Sequence, residues 1–295
     1  MPVEGSGTRR MKSFGAAASA LLALSLVSLG GCEELRHVDI GLDPLGIDGR
    51  SGAHPLSYDT LMRIGAAAHS AGELANAVAL YRRAAQIDPR SPAPFVAAGN
   101  SLVEMGQTNE ALVAYRSALE RNDQDPEALR GLAKAYLLTG RPELAGAPLA
   151  VAYGATPNDP KLLQLIGVAD DYVGQHKEAQ ARYRRGLELL PGDPALTVDL
   201  ALSLALVGNY PQAVALLRPL ALAPTGTPRE RQSLALIYGL AGDRYEAEEM
   251  ARRDLDAASV AHNLAYYERL RNLSPDARLR ALQSLGERSN TAARS

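Results

Sequence analysis

The chain has 295 residues, of which 31 are basic and 33 acidic, for a formal net charge of -2. That balance gives no global sign of nucleic-acid binding, while 46% apolar residues suffice for a large core in one or two units. The single cysteine, Cys32, excludes an intrachain disulfide.

Arg9, Arg10 and Lys12 precede an uncharged run from Ser13 to Gly31 centred on ALLALSLVSLGG. A basic flank, an apolar centre and small residues before a cut predict a signal peptide over 1–31. A transmembrane helix competes, although the run is marginal in length and rich in Gly, Ala and Ser. Met11-Lys12 offers a second candidate start beside Met1. Leu29-Gly30-Gly31-Cys32 resembles the bacterial lipoprotein box. The resemblance implies cleavage before Cys32 and acylation of its sulfur and new amino group. Several acyl chains, at about 0.8 kcal/mol per buried CH₂, anchor a protein stably. Glu33 stands where an aspartate would signal inner-membrane retention, so the resemblance implies an outer-membrane lipoprotein facing the periplasm. Without residues 1–31 the formal net charge is -4, which argues against a broad electrostatic grip on anionic lipid. Residues 32–57 carry Gly41, Pro44, Gly46, Gly49, Gly52 and Pro55, which forbid a long helix and predict a tether. Leu42, Leu45 and Ile47 in it are apolar enough to dock, on the chain's own repeats or on a partner.

From Tyr58 onward a pattern repeats every 34 residues. Gly72 recurs as Gly106, Gly140, Gly174, Gly208 and Gly242, and Ala77 as Ala111, Ala145, Ala179, Ala213 and Ala247. A third column of small residues runs Gly65, Gly99, Ala133, Gly167, Ala201 and Ala235. A period in this range predicts a stacked array, with units at 58–91, 92–125, 126–159, 160–193, 194–227 and 228–261. Each unit opens on a capping residue, followed by proline in five: Ser91-Pro92, Asp125-Pro126, Asp159-Pro160, Asp193-Pro194 and Thr227-Pro228. A first helix ends at the marker glycine, which supplies a left-handed turn, and a second helix ends near Pro89 or its equivalent. Pro148 is expected to bend the second helix of unit three. Unit six fades, with Arg231 at an apolar position and Asp254 at a small one. Two capping helices are expected over 259–285, and a disordered tail over 286–295.

Leu61, Ile64, Gly65, Gly72, Ala77, Tyr81, Ala84 and Pro89 together resemble the tetratricopeptide repeat, over about two thirds of the chain. The resemblance implies an all-α superhelical solenoid whose first helices line a groove for a partner's peptide or helix. The groove positions it assigns are Met62, Ala66 and His69, then Val96, Asn100 and Val103, then Arg130, Lys134 and Leu137. Units four and five add Gln164, Val168 and Asp171, then Val198, Leu202 and Leu206. Asn100 and Lys134 bear a slight likeness to the carboxylate clamp of some such domains, but Met62 and Gly131 stand where it needs further residues. The first helix of unit five, ALTVDLALSLALV, is apolar nearly all round. Such a helix is either buried on every side or presents a second apolar face around Val198, Leu202 and Leu206 to an amphipathic partner helix.

Little in the chain points to catalysis. The five histidines are scattered without a metal-binding spacing, no Gly-rich lysine loop offers a phosphate cradle, and neither metal nor cofactor is expected. Asp170 and Asp171 are adjacent, so on a helix they point apart, and the pair reads as solvated or partner-facing. Arg269, Arg271, Arg278 and Arg280 form a basic stripe, read as a solvated face or an electrostatic docking edge. The lipoprotein box, tether, repeats and the ending NLAYYERLRNLSPDARLRAL together resemble the TadD lipoproteins of tight-adherence (Flp) pilus assembly. That implies a non-enzymatic scaffold that assists secretin localisation or assembly, with proteins as partners, the membrane reached through lipid, and neither nucleic acid nor a small-molecule substrate. A scaffold for outer-membrane protein insertion or for cell-wall enzymes is the alternative.

Overall fold

The computed structural model describes residues 56–274 and 277–282. The signal peptide, Cys32, nearly all of the tether and the tail assigned above lie outside the described residues. Among these residues there is no strand. The helices come in pairs: α1 (Tyr58–Ser70) and α2 (Leu74–Ile87), α3 (Ala93–Glu104) and α4 (Thr108–Leu119), α5 (Pro126–Leu138) and α6 (Gly146–Ala155). They continue as α7 (Pro160–Tyr172) and α8 (His176–Leu189), α9 (Pro194–Leu206) and α10 (Tyr210–Ala221), α11 (Pro228–Ala241) and α12 (Arg244–Ala251), and end with α13 (Ala257–Arg271). Residues 277–282 are also helical. Within each pair the helices pack on each other, and each of the first helices α3 to α11 seats chiefly on the second helix before it.

Local chemistry sets the boundaries. The side chains of Ser57, Asp125, Asp159, Asp193 and Asp256 accept from first-turn amides of α1, α5, α7, α9 and α13. Thr227 and Glu230 close a capping box on α11. Ser91 behaves otherwise: its hydroxyl pairs with that of Tyr58 at 2.8 Å, and α3 begins at Ala93 without a side-chain cap. The six marker glycines all have positive φ, from 69° at Gly140 to 97° at Gly242, where a side chain would be strained. Pro148 does not bend its helix. A 3₁₀ turn at Pro142–Leu144 precedes it and α6 starts late, at Gly146, so Pro148 falls in the first turn, where a missing N–H leaves nothing unpaired.

The column of small residues is coupled to the large residue opposite. A Cβ on Gly65, Gly99 or Gly167 would lie 2.6, 2.6 or 2.5 Å from the ring of Tyr81, Tyr115 or Tyr183. Where the column has Ala133, Ala201 or Ala235, the residues at the tyrosine position are Leu149, Leu217 and Ala251, all buried. Glycine thus appears where tyrosine needs the space, and alanine where a smaller side chain leaves it. Gly65→Ala is expected to destabilise by about 1–3 kcal/mol through overpacking. Adding Tyr81→Leu, which reproduces the pairing of units three and five, should recover part of that loss. A double-mutant cycle on thermal unfolding measures the coupling.

The two departures in unit six answer each other. Arg231 occupies the Leu61 position and Asp254 the Ala84 position, and the Arg231 Nε donates to the Asp254 carboxylate at 2.9 and 3.1 Å. Arg231 also donates to the Gly226 carbonyl at 2.6 Å, and Gln232 to Asp254 at 3.1 Å. Hydrogen bonding from Arg231 holds the Asp254 carboxyl below its ordinary range. An apolar contact has become a charge-assisted one, so unit six is altered rather than merely faded.

Candidate functional site

The face that the first helices turn away from their own second helices changes character along the array. In the column beginning at Ala66, Ala66 and Asn100 are exposed and Lys134 is half-buried. Val168, Leu202, Leu236 and Leu270 then fall to 1%, 7%, 1% and 1% exposure. The column beginning at Ser70 follows the same course: Ser70 and Glu104 exposed, Leu138 and Tyr172 half-buried, Leu206 and Leu240 buried. The face is therefore open over units one to three and closed over units five and six.

The open half is polar and partly self-satisfied. His69 pairs through Nδ1 with the Ser101 hydroxyl at 2.8 Å and through Nε2 with Glu104 at 3.3 Å. Asn100 accepts from the Tyr115 hydroxyl at 2.7 Å. Arg130 donates to Asp159 at 2.6 Å. Lys134 lies between these units; burial lowers its ammonium from the ordinary value, against the attraction of Glu104. Met62 and Val103 are half-buried beside them, whereas Val96 and Leu137 are buried. Gln164 is taken up by Asp199, at 2.6 Å, and Arg229 reaches the same carboxylate at 3.4 Å.

Val168, Val198, Leu202 and Leu206 do not line an open groove. Every residue of α9 from Leu196 to Leu206 is buried, and all four of these residues belong to the main buried apolar cluster. Leu206 is also out of register: the column of His69, Val103, Leu137 and Asp171 continues in Ala205, not in Leu206. The helices packed around α9 are α7, α8, α10 and α11. The end of the chain is drawn into the same core. Leu282 is buried in the same cluster, and Leu279 and Ala281 pack against it. Arg278 is 8% exposed and reaches Tyr210, at the start of α10, with an N···O distance of 3.1 Å. The end segment thus folds back past unit six to unit five.

Two further readings are corrected by burial. Arg278 is no part of a solvated stripe: its guanidinium also donates to the carbonyls of Leu270, Arg271 and Leu273 and closes the end of α13. Arg269, Arg271 and Arg280 are exposed. Asp171, 1% exposed, is neither solvated nor partner-facing. It accepts from Tyr183 at 3.0 Å and Ser203 at 2.8 Å, and pairs with His176 at 2.7 Å. Burial raises its carboxyl while these three partners pull it down. Asp170 points elsewhere, and burial pushes its carboxyl up to about 6 against the pull of Arg182. Ser203, Asp171 and His176 are no nucleophilic triad, since serine and histidine both bind the carboxylate and the serine is 0% exposed. Among the described residues no group of three or more acidic, histidine or cysteine side chains could hold a metal, and no helix is long and apolar enough to cross a membrane.

Two family profiles match the chain. One, described as tetratricopeptide repeat, covers residues 50–92 and 96–160, and the other, described as tetratrico peptide repeat, covers 163–275. The chain belongs to the tetratricopeptide-repeat family. Tetratricopeptide arrays bind other proteins, and this one is a protein-interaction scaffold of a fold that is typically non-catalytic. It is similar to a tetratricopeptide repeat protein from Parabacteroides merdae ATCC 43184, with TM-score 0.61 and 17% identity over 73% of this chain and 86% of that one. It is similar to pilF of Pseudomonas aeruginosa, with TM-score 0.55 and 19% identity over 80% and 96% of the two chains. A chain of the APC/C hetero-tetramer Cut9-Hcn1 gives TM-score 0.60 and 19% identity over 72% of this tetratricopeptide chain, which spans 43% of the length of that one. At these identities the likeness is one of fold. No curated protein matches the chain.

Proposed function

We propose that this tetratricopeptide protein is a lipid-anchored adaptor at the outer membrane, facing the periplasm, that binds a secretin or another component of Tad/Flp pilus assembly. The observation that carries the adaptor role is the open first-helix face of units one to three, where Ala66, Asn100 and Lys134 stand uncovered or half-covered at successive groove positions. The lipid anchor is supported by the basic flank, the apolar run and Leu29-Gly30-Gly31-Cys32. The pilus setting is supported by the resemblance of tether, repeats and end segment to the TadD lipoproteins. Acylation at Cys32 would hold the array at the membrane, and the tether would let it reach a partner tens of ångströms away, at roughly 3.3–3.6 Å per extended residue.

Affinity capture from detergent-solubilised envelopes tests both parts. The intact protein is expected in the membrane fraction and should retain a secretin together with other Tad components. Cys32→Ser should move it to the soluble fraction. Recovery of outer-membrane insertion machinery or cell-wall enzymes in place of the secretin would overturn the pilus assignment, and unchanged membrane retention of Cys32→Ser would overturn the anchor.

A further inference from the structure

The two layers of the array differ in charge. The second helices α2, α4, α6, α8 and α10 carry eight lysines and arginines against three carboxylates, whereas the first helices α1, α3, α5, α7 and α9 carry four against six. On α2 the excess has no counter-charge at all: Arg82 and Arg83 are exposed, and the helix holds no carboxylate. Register shows what is missing. Arg252 and Arg185 occupy the Arg82 and Arg83 positions of later units and pair with Glu248 and Glu188 on their own helices. Unit one has Val78 and Gln86 at those two carboxylate positions. The carboxylates flanking α2 are engaged locally, Glu73 accepting from Asn76 at 3.0 Å and Asp88 from the Arg90 amide at 3.1 Å. Among the described residues neither Arg82 nor Arg83 has a hydrogen-bond or ion-pair partner. Two adjacent positive charges left in this way attract an anionic group. Beside them α2 exposes Ala75, Ala79 and Ile87, the last by 49%.

The segment that precedes the repeats has the complementary composition. Residues 38–48, VDIGLDPLGID, hold Asp39, Asp43 and Asp48, no lysine or arginine, and apolar residues between them. This segment joins the array at the matching end of α2. Tyr58, the first residue of α1, pairs its hydroxyl with that of Ser91, just past α2, at 2.8 Å. The chain therefore enters beside the end of α2 that bears Arg82, Arg83 and Ile87. Asp48 precedes Ser57 by nine residues, a span of at most about 30–32 Å. With 14 residues, α2 is about 21 Å long, so its whole exposed face is within reach.

We propose that residues 38–48 dock on the exposed face of α2, with their aspartates against Arg82 and Arg83 and their apolar residues against Ala79 and Ile87. The encounter is intramolecular, at an effective concentration of about millimolar, so contacts that are weak one by one suffice. This surface belongs to the second helices and is separate from the first-helix face assigned to a partner. Docking controls reach. In a chain held at Cys32, six residue steps separate the anchor from Val38, at most about 20–22 Å, and release restores the full tether. That consequence rests on the lipid anchor proposed above; the docking does not.

Spin labels at Gly49→Cys and Gln86→Cys test the docking in the full-length Cys32→Ser chain, where they are the only cysteines. A narrow, short distance distribution is expected as the main component. A broad distribution centred at longer distances would overturn the proposal. Asp43→Lys with Asp48→Lys should make the broad component dominant, and both positions lie outside the repeats. Arg82→Glu with Arg83→Glu should do the same with unchanged circular dichroism, since both side chains are exposed. If that pair loses helicity, the aspartate pair decides. Combining all four reversals should restore the short component, a recovery that solvated arginines cannot give. A short component that survives both reversals would overturn the charge pairing. Two other occupants are read in the same way. A short distance between singly labelled chains would place the segment on a second copy and overturn the proposal. Binding of the labelled chain to phosphatidylglycerol vesicles with a broad distribution would show that the arginines face lipid, which also overturns it. Neither an acyl chain nor an envelope protein enters these measurements, so the anchor, the pilus assignment and this proposal fail separately.

Discussion

Tyr115→Ala is expected to lower the unfolding free energy by about 3–5 kcal/mol, the range for deleting a buried aromatic ring. The ring is 1% exposed and stands between two consecutive first helices. A Cβ on Gly99 of α3 would approach it to 2.6 Å, and one on Gly131 of α5 to 2.3 Å. Glycine on both sides leaves no side chain to move into the vacated space, so the cavity persists and the cost falls toward the upper end of the range. Tyr115→Phe separates packing from hydrogen bonding. It keeps the ring and loses only the bond to Asn100, at an expected cost of about 0.5–1.5 kcal/mol. Guanidinium unfolding followed by far-ultraviolet circular dichroism measures both variants. A loss for Tyr115→Ala no larger than that for Tyr115→Phe would refute the wedge account.

Asp171→Ala is the second large effect, expected at about 2–5 kcal/mol. Two donors, the hydroxyls of Tyr183 and Ser203, are each 0% exposed and would be left without their acceptor. Orphaning a buried donor costs about 1–3 kcal/mol. His176 is less affected, since its side chain is 17% exposed and can turn toward water. Asp171→Asn keeps a carbonyl acceptor and should cost less. The carboxylate on α7 is bound by groups on α8 and α9, so it joins units four and five. Its loss is expected to broaden the unfolding transition as nearest-neighbour coupling weakens. Equal destabilisation by alanine and asparagine, with no broadening, would show that the network does not act as a joint.

Much of the architecture was legible because the period is strict. The marker glycines, the alanine column and the helix starts recur at fixed spacing, and helix formation depends on neighbours three or four residues away. The pairing of glycine with tyrosine, and of alanine with leucine, was also visible in the aligned columns of Gly65 with Tyr81 and Ala133 with Leu149. It goes unnoticed when each column is read alone. The same holds for Arg231 and Asp254, two departures 23 residues apart whose opposite charges were the available signal. The direction of the groove side chains was less legible. Leu206 is one residue beyond its column, and apolarity drew attention to it where register pointed to Ala205.

The sequence by itself determined that this chain is a stack of helix pairs, and where each pair begins and turns. These features follow from capping, backbone conformation and periodic apolar spacing, all of which act locally. Only the tertiary structure decided which part of the first-helix surface is free. Arg278 meets Tyr210 across 68 residues. Their separation equals two full periods, yet they meet through a fold-back and not through the stacking of adjacent units. An all-round apolar helix such as α9 was open to two readings until its neighbours α7, α8, α10 and α11 were seen around it.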